Sequence, residues 1–154
     1  MFSFIKETDT FRNSTESRLS NYEAEWNITF PELLKTYYLY HNMSTVKKNK
    51  SNFPVSLILP IDDNDSWSVQ EYKEAIEKDL YVFQVDTKRF IPFAVYDDFI
   101  CYFWEVGTEK VYWYGSGEDS ELAPAFDSIE SFFENLNQGV AKAEKKFQLF
   151  RKRT

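Results

Sequence analysis

Phe99-Ile100-Cys101-Tyr102-Phe103-Trp104 is apolar or aromatic at every position. A strand with one wet face would alternate, so an unbroken run of this kind predicts a central strand covered on both sides. Asp97-Asp98 precedes it and Gly107-Thr108 follows it. Beyond these turns lie further strand-like runs at Phe90 to Val95 and Lys110 to Tyr114, with Tyr81 to Val85 upstream. Connections this short exclude crossovers and predict an antiparallel meander. In the last run Val111 and Trp113 alternate with Tyr112 and Tyr114, which assigns the two pairs to opposite faces.

Around the meander the period changes to that of a helix. Pro31 suits a first helical position, and Leu33, Leu34, Tyr37, Tyr38 and His41 recur at helical spacing up to Asn42. Residues 7–21 are polar and read as an irregular arm. Met43 to Phe53, with Lys47-Lys48-Asn49-Lys50, reads as a solvated loop, and Val55 to Leu59 as a short strand. Ser68 with Glu71 makes a capping box, and Trp67 with Tyr72 a hydrophobic staple, opening a helix whose buried stripe is Val69, Tyr72, Ile76 and Leu80. Asp127 with Glu130 makes a second box, followed by Ile129, Phe132, Phe133 and Leu136. Gly139 weakens helical order, and Val140, Ala143, Phe147 and Phe150 restart it, predicting a separate basic helix over 140–154. The order of elements predicts an α+β fold: one domain over residues 1–154, a mainly antiparallel sheet of about five or six strands, and flanking helices.

Composition agrees with one folded domain. The chain has 154 residues, of which 43% are hydrophobic and only four are glycine, so low-complexity and disordered classes are excluded. A chain of this length buries about 68–70% of its unfolded surface. The net charge of -7 makes nucleic acid a poor partner. That charge is unevenly placed: residues 142–154 carry +5 and the rest -12, and Phe90 to Ala141 alone holds ten carboxylates against Lys110. Aromatic residues reach 19%. Acidic and aromatic character in one stretch points to a surface that binds something.

One cysteine, Cys101, excludes an intrachain disulfide and a cysteine zinc cluster. The apolar run at the N-terminus is too short for a secretion signal and no segment is long enough to span a membrane, so a cytoplasmic location is expected and membrane partners are not. The glycosylation patterns at Asn13 and Asn27 then read as chance.

Catalytic chemistry finds few groups to use. The only histidine, His41, lies in a helix among tyrosines with nothing to orient it as a base, and Cys101 reads as a small buried hydrophobe. The stretch from Asp62 through Asp63 and Asp65 fails as a calcium loop, because Trp67 replaces the glycine and Lys73 the bidentate glutamate. Gly115 and Gly117 begin a dinucleotide fingerprint that lacks its third glycine and is flanked by carboxylates. No metal, cofactor or catalytic residue is expected, although spatial pairing of two carboxylates as acid and base is invisible at this level.

Phe90-Ile91-Pro92-Phe93-Ala94 followed by Asp97, the aromatic strand, and Phe126 to Leu136 resemble the SUKH superfamily. Glu25-Trp26-Asn27-Ile28-Thr29-Phe30-Pro31 and the helix ending Tyr40-His41-Asn42 are similar to its first motif, so the match spans about residues 22–138. Two features depart from the family pattern. Met43-Ser44 stands where Gly-Gly is usual, and Asp97-Asp98-Phe99 where an earlier Asp and a Gly are usual. The resemblance implies a non-catalytic α+β domain. For bacterial members it implies an immunity protein that neutralises a cognate polymorphic or contact-dependent toxin, often a nuclease. For fungal relatives it implies a regulator of cell-wall synthesis, and a regulatory or scaffold module is the alternative here.

A nuclease must be basic to hold phosphate, so an acidic face would speed its capture, and desolvated aromatics would supply affinity. The expected contact set is Glu105, Tyr112, Tyr114, Glu118, Asp119 and Glu121, with Asp62, Asp63 and Asp65 as a second patch. Trp104 and Trp113 read equally as contacts or as core. Flat aromatic strands also permit a homodimer.

Overall fold

A computed structural model describes residues 2–6, 14–42, 44–62, 67–80, 83–97, 100–115 and 121–152. Among the described residues four helices surround one antiparallel sheet: α1 (Glu16–Trp26), α2 (Glu32–Tyr40), β1 (Ser44–Thr45), β2 (Leu57–Ile58), α3 (Val69–Glu77), β3 (Phe90–Tyr96), β4 (Ile100–Glu105), β5 (Val111–Gly115), β6 (Ala123–Phe126) and α4 (Ile129–Lys152). The six strands lie in sequence order, an uninterrupted meander with the aromatic strand β4 near its centre. The expected α+β class and antiparallel sheet are therefore those observed.

The register explains the composition of β4. Cys101 faces Tyr114 and Phe103 faces Tyr112, whereas Tyr102 faces Trp113 and Trp104 faces Val111. Opposed residues share a face, so Tyr102 and Trp104 look one way and Cys101 and Phe103 the other. On the first face Tyr102 meets Phe132 of α4 at 5.4 Å between centroids, and Trp104 meets Phe30 at 6.3 Å. On the second, Phe83 covers Phe103 at 6.4 Å and Tyr114 at 5.3 Å. Side chains at positions 101–104 are fully buried, each worth about 1.5–3 kcal/mol for the largest apolar ones. Pro92 sits inside β3 without a ladder donor, and the register shifts between it and Ala94. A bulge is where an interior strand tolerates proline.

Several expectations are corrected. Residues 16–21 belong to α1 rather than to an irregular arm, because Thr15 Oγ1 accepts from the Arg18 amide and opens a helix before the apolar period begins. Residues 83–85 form no strand; Phe83 instead lies over the sheet. Tyr81 and Val82 fall outside the described residues. Leu80 is exposed rather than buried, since α3 ends at Glu77 and Asp79 follows with φ 54°. The cap of α4 is Ser128, whose Oγ accepts from the Ser131 amide at 3.0 Å, one residue after the expected box. The sequence does not announce β1 and β6: one is two residues long, and the other carries Pro124, which suits its place at the sheet edge.

The largest correction concerns Gly139. The helix α4 runs through it without a break for 24 residues. The Lys50 amide donates to the Gly139 carbonyl at 3.0 Å, and a Cβ at Gly139 would stand 3.2 Å from the Lys50 carbonyl oxygen. Glycine is there to let the segment 47–51 approach the helix, so that segment is packed on α4 rather than free in solvent. Asn49 ties it down, donating from Nδ2 to the carbonyls of Lys47 and Val55. The burial of α4 ends near Val140, and Phe147 is 61% exposed.

Candidate functional site

At one end of the sheet the β4–β5 turn approaches the first turns of α2 and α4. The Glu105 amide donates to the Lys110 carbonyl at 2.8 Å, and the Thr108 and Glu109 amides return to the Glu105 carbonyl. Gly107 at φ 88° and Glu109 at φ 59° bend the chain between them. The Glu105 side chain organises this turn. Its Oε2 accepts from Arg89 Nε at 2.9 Å and Nη2 at 2.7 Å, and its Oε1 accepts from Thr108 Oγ1 at 2.7 Å. The Thr108 hydrogen bond is the chief reason its carboxyl lies below the usual range, with Arg89 adding to it against a desolvation that pushes the other way.

The turn so held presents Glu109 to Glu32 of α2 and Glu130 of α4. These three carboxylates, with Leu33, Thr36, Ser128 and Ile129, line an open cleft of about 420 Å³. No described residue lining it is basic. Glu32 and Glu130 lie in the first turns of their helices, where the helix dipole favours a carboxylate, so their charges are held at little local cost. A second cleft of about 390 Å³ lies on the other side of the same segment, lined by Lys110, Val111, Tyr112, Pro124, Ala125, Phe126, Asp127 and Ser131. Acidic and aromatic clefts thus flank the start of α4. Among the described residues no group of three or more acidic, histidine or cysteine side chains could hold a metal.

The expected contact residues are distributed as follows. Tyr112 is half-buried, packs on Phe90 at 5.1 Å and lines the second cleft. Glu121 is exposed. Tyr114 is buried under Phe83, and Glu105 is buried with both oxygens engaged. Glu118 and Asp119 lie outside the described residues, as do Asp63 and Asp65. Asp62 is engaged: Arg18 Nη2 and the Tyr22 hydroxyl each donate to its Oδ2 at 2.6 Å, joining α1 to the approach to α3. Burial and that carboxylate together push the Tyr22 hydroxyl far up. Trp104 is core, and Trp113 is half-buried against Phe53 at 5.8 Å.

Convergence of Glu32 with Glu109 and Glu130 was not legible beforehand, since these positions lie far apart in the chain. Ring packing accounts for His41, which meets Phe2 at 5.3 Å and whose pKa is lowered by burial. The Cys101 thiol is buried, which pushes its pKa well up.

The described sheet, the buried Asn42 at φ 56° accepting from the Ile61 amide, and the capped start of α4 correspond to the segments in which the resemblance was noted. Residues 13–135 match the model of the SMI1/KNR4 family, SUKH-1. The chain belongs to that family. At the level of the family, SUKH-1 is a non-catalytic fold whose members are commonly immunity proteins or regulators. The SUKH-1 match takes in every residue lining both clefts, ends at Asn135, and stops short of Gly139 and the basic end of α4. No curated protein matches the chain. No helix among the described residues is long and apolar enough to cross a membrane.

Proposed function

We propose that this SUKH-1 protein binds and neutralises a cognate polymorphic or contact-dependent toxin, a basic nuclease-type domain, in the cytoplasm. The observation that carries the reading is the cleft in which Glu32, Glu109 and Glu130 converge with no described cation on its lining. A lysine or arginine entering it would find carboxylates along its lining, and the acidic field around it would draw a basic domain toward the cleft at up to about 10⁸ M⁻¹s⁻¹ at low salt. Tyr112 and the neighbouring aromatic cleft supply the apolar contact that gives lifetime to the complex. Glu105 acts from within by holding the turn, and the exposed Glu121 adds negative charge outside the cleft.

The test is co-expression with the product of the adjacent gene, tested for toxicity on its own. Co-purification at a fixed ratio and restored growth are expected. Failure of both, or capture of several unrelated endogenous proteins in place of the toxin, would remove the proposal in favour of a regulatory module.

A further inference from the structure

A third cleft, of about 440 Å³, lies away from the acidic one, between α4 and the segment that Gly139 admits. Lys50, Phe53, Phe126, Asn135, Gln138 and Lys142 line it, and no described lining residue is acidic. Its walls are fixed. The Lys50 amide is bonded to the Gly139 carbonyl, Asn135 Nδ2 donates to Ser51 Oγ at 2.9 Å, and Phe53 packs edge-on against Phe126 at 5.0 Å. Lys146, one helical turn beyond Lys142 and on the same side of α4, is near enough to Lys50 to act on its charge. Two lysines therefore line the cleft, and a third stands beside it. Like charges so placed repel, and the nearness of Lys146 holds Lys50 below its ordinary range. The nearby carboxylate of Glu144 faces Lys47 at 3.8 Å.

We infer that this cleft binds a small multivalent phosphate anion, with Lys50, Lys142 and Lys146 as its counter-charges and the Gln138 amide as a further donor. Lysines meet phosphate as point charges without a fixed fork, which suits flexible side chains on a rigid rim. The cleft exceeds a single phosphate group and accommodates a diphosphate. The site uses the basic rather than the acidic part of the chain, and it shares only Phe126 with the aromatic cleft.

Titration of the full chain with inorganic pyrophosphate at about 150 mM salt, followed by calorimetry, tests this. Saturable binding with a Kd below about 1 mM is expected. It should weaken at least tenfold in the double variant Lys142→Gln/Lys146→Gln and stay unchanged in Lys110→Gln, whose lysine lines a different cleft. In ¹⁵N-lysine NMR, pyrophosphate should raise the titration midpoint of the Lys50 amine, a readout that folding defects do not mimic. Absence of saturation, equal weakening by Lys110→Gln, or an unmoved Lys50 midpoint would each overturn the inference.

Discussion

Arg89 reaches from a largely exposed position to hold the buried carboxylate of Glu105 through two nitrogens on one oxygen, at 2.9 and 2.7 Å. Thr108 takes the other oxygen. The pair joins the start of β3 to the end of β4 and sets the turn that carries Glu109.

Glu105→Gln should therefore alter stability in a pH-dependent way. The folded-state pKa of Glu105 is lowered, so its ionised form contributes stability above the unfolded value of about 4.3, and that contribution is lost as pH falls through the folded value. Urea midpoints between pH 3 and 7 should show a steeper acid decline in the parent than in Glu105→Gln. Thr108→Ala should cost about 1–3 kcal/mol at pH 7, by leaving one oxygen of a buried charge unpaired. Arg89→Ala should cost less, because the guanidinium is exposed and screened.

Gly139→Ala sets two effects against each other. Helix propensity favours alanine by about 1 kcal/mol. Against it, the added Cβ would press on the Lys50 carbonyl oxygen at 3.2 Å, in a backbone segment clamped by Asn49 and Ser51. Overpacking of this kind costs about 1–3 kcal/mol, so a net loss of stability of up to about 2 kcal/mol is expected from chemical denaturation. A gain would show that the segment yields freely.

Burial around Cys101 makes a kinetic prediction. Its thiol should react with an aromatic disulfide reagent only through opening of the fold, at least about 10³-fold more slowly than in denaturant. A fast native reaction would contradict the packing of β4.

The legible part of this fold was its aromatic meander and its helix starts. The strands β3, β4 and β5 announce themselves by long apolar runs between turn residues, and Ser68 and Trp67 mark α3 through a cap at 3.1 Å and a ring contact at 5.6 Å. What escaped had a tertiary cause. Gly139 reads as a helix breaker until the Lys50 backbone is seen against it, and α1 has a weak apolar period with Leu19 its one fully buried residue. The site was legible only in its charge sign. Glu105 and Asp62 look like free acids in the chain, and both prove to be engaged by an arginine and a hydroxyl. Glu32 gave no signal, because its relation to Glu109 and Glu130 exists only once α2, the turn and α4 are packed together.

The central claim is that the cleft of Glu32, Glu109 and Glu130 captures a basic partner. The most direct measurement is the association rate of the partner proposed above, the product of the adjacent gene, with the parent and with Glu32→Gln/Glu109→Gln/Glu130→Gln, across salt concentrations. All three side chains lie on the surface cleft, so the variant should fold, with a melting point lowered by no more than a few degrees through loss of the two helix-start charges. The account predicts association at least tenfold slower at low salt and a shallower salt dependence, with the parent and variant converging at high salt. Identical rates and salt slopes for a folded variant would contradict it.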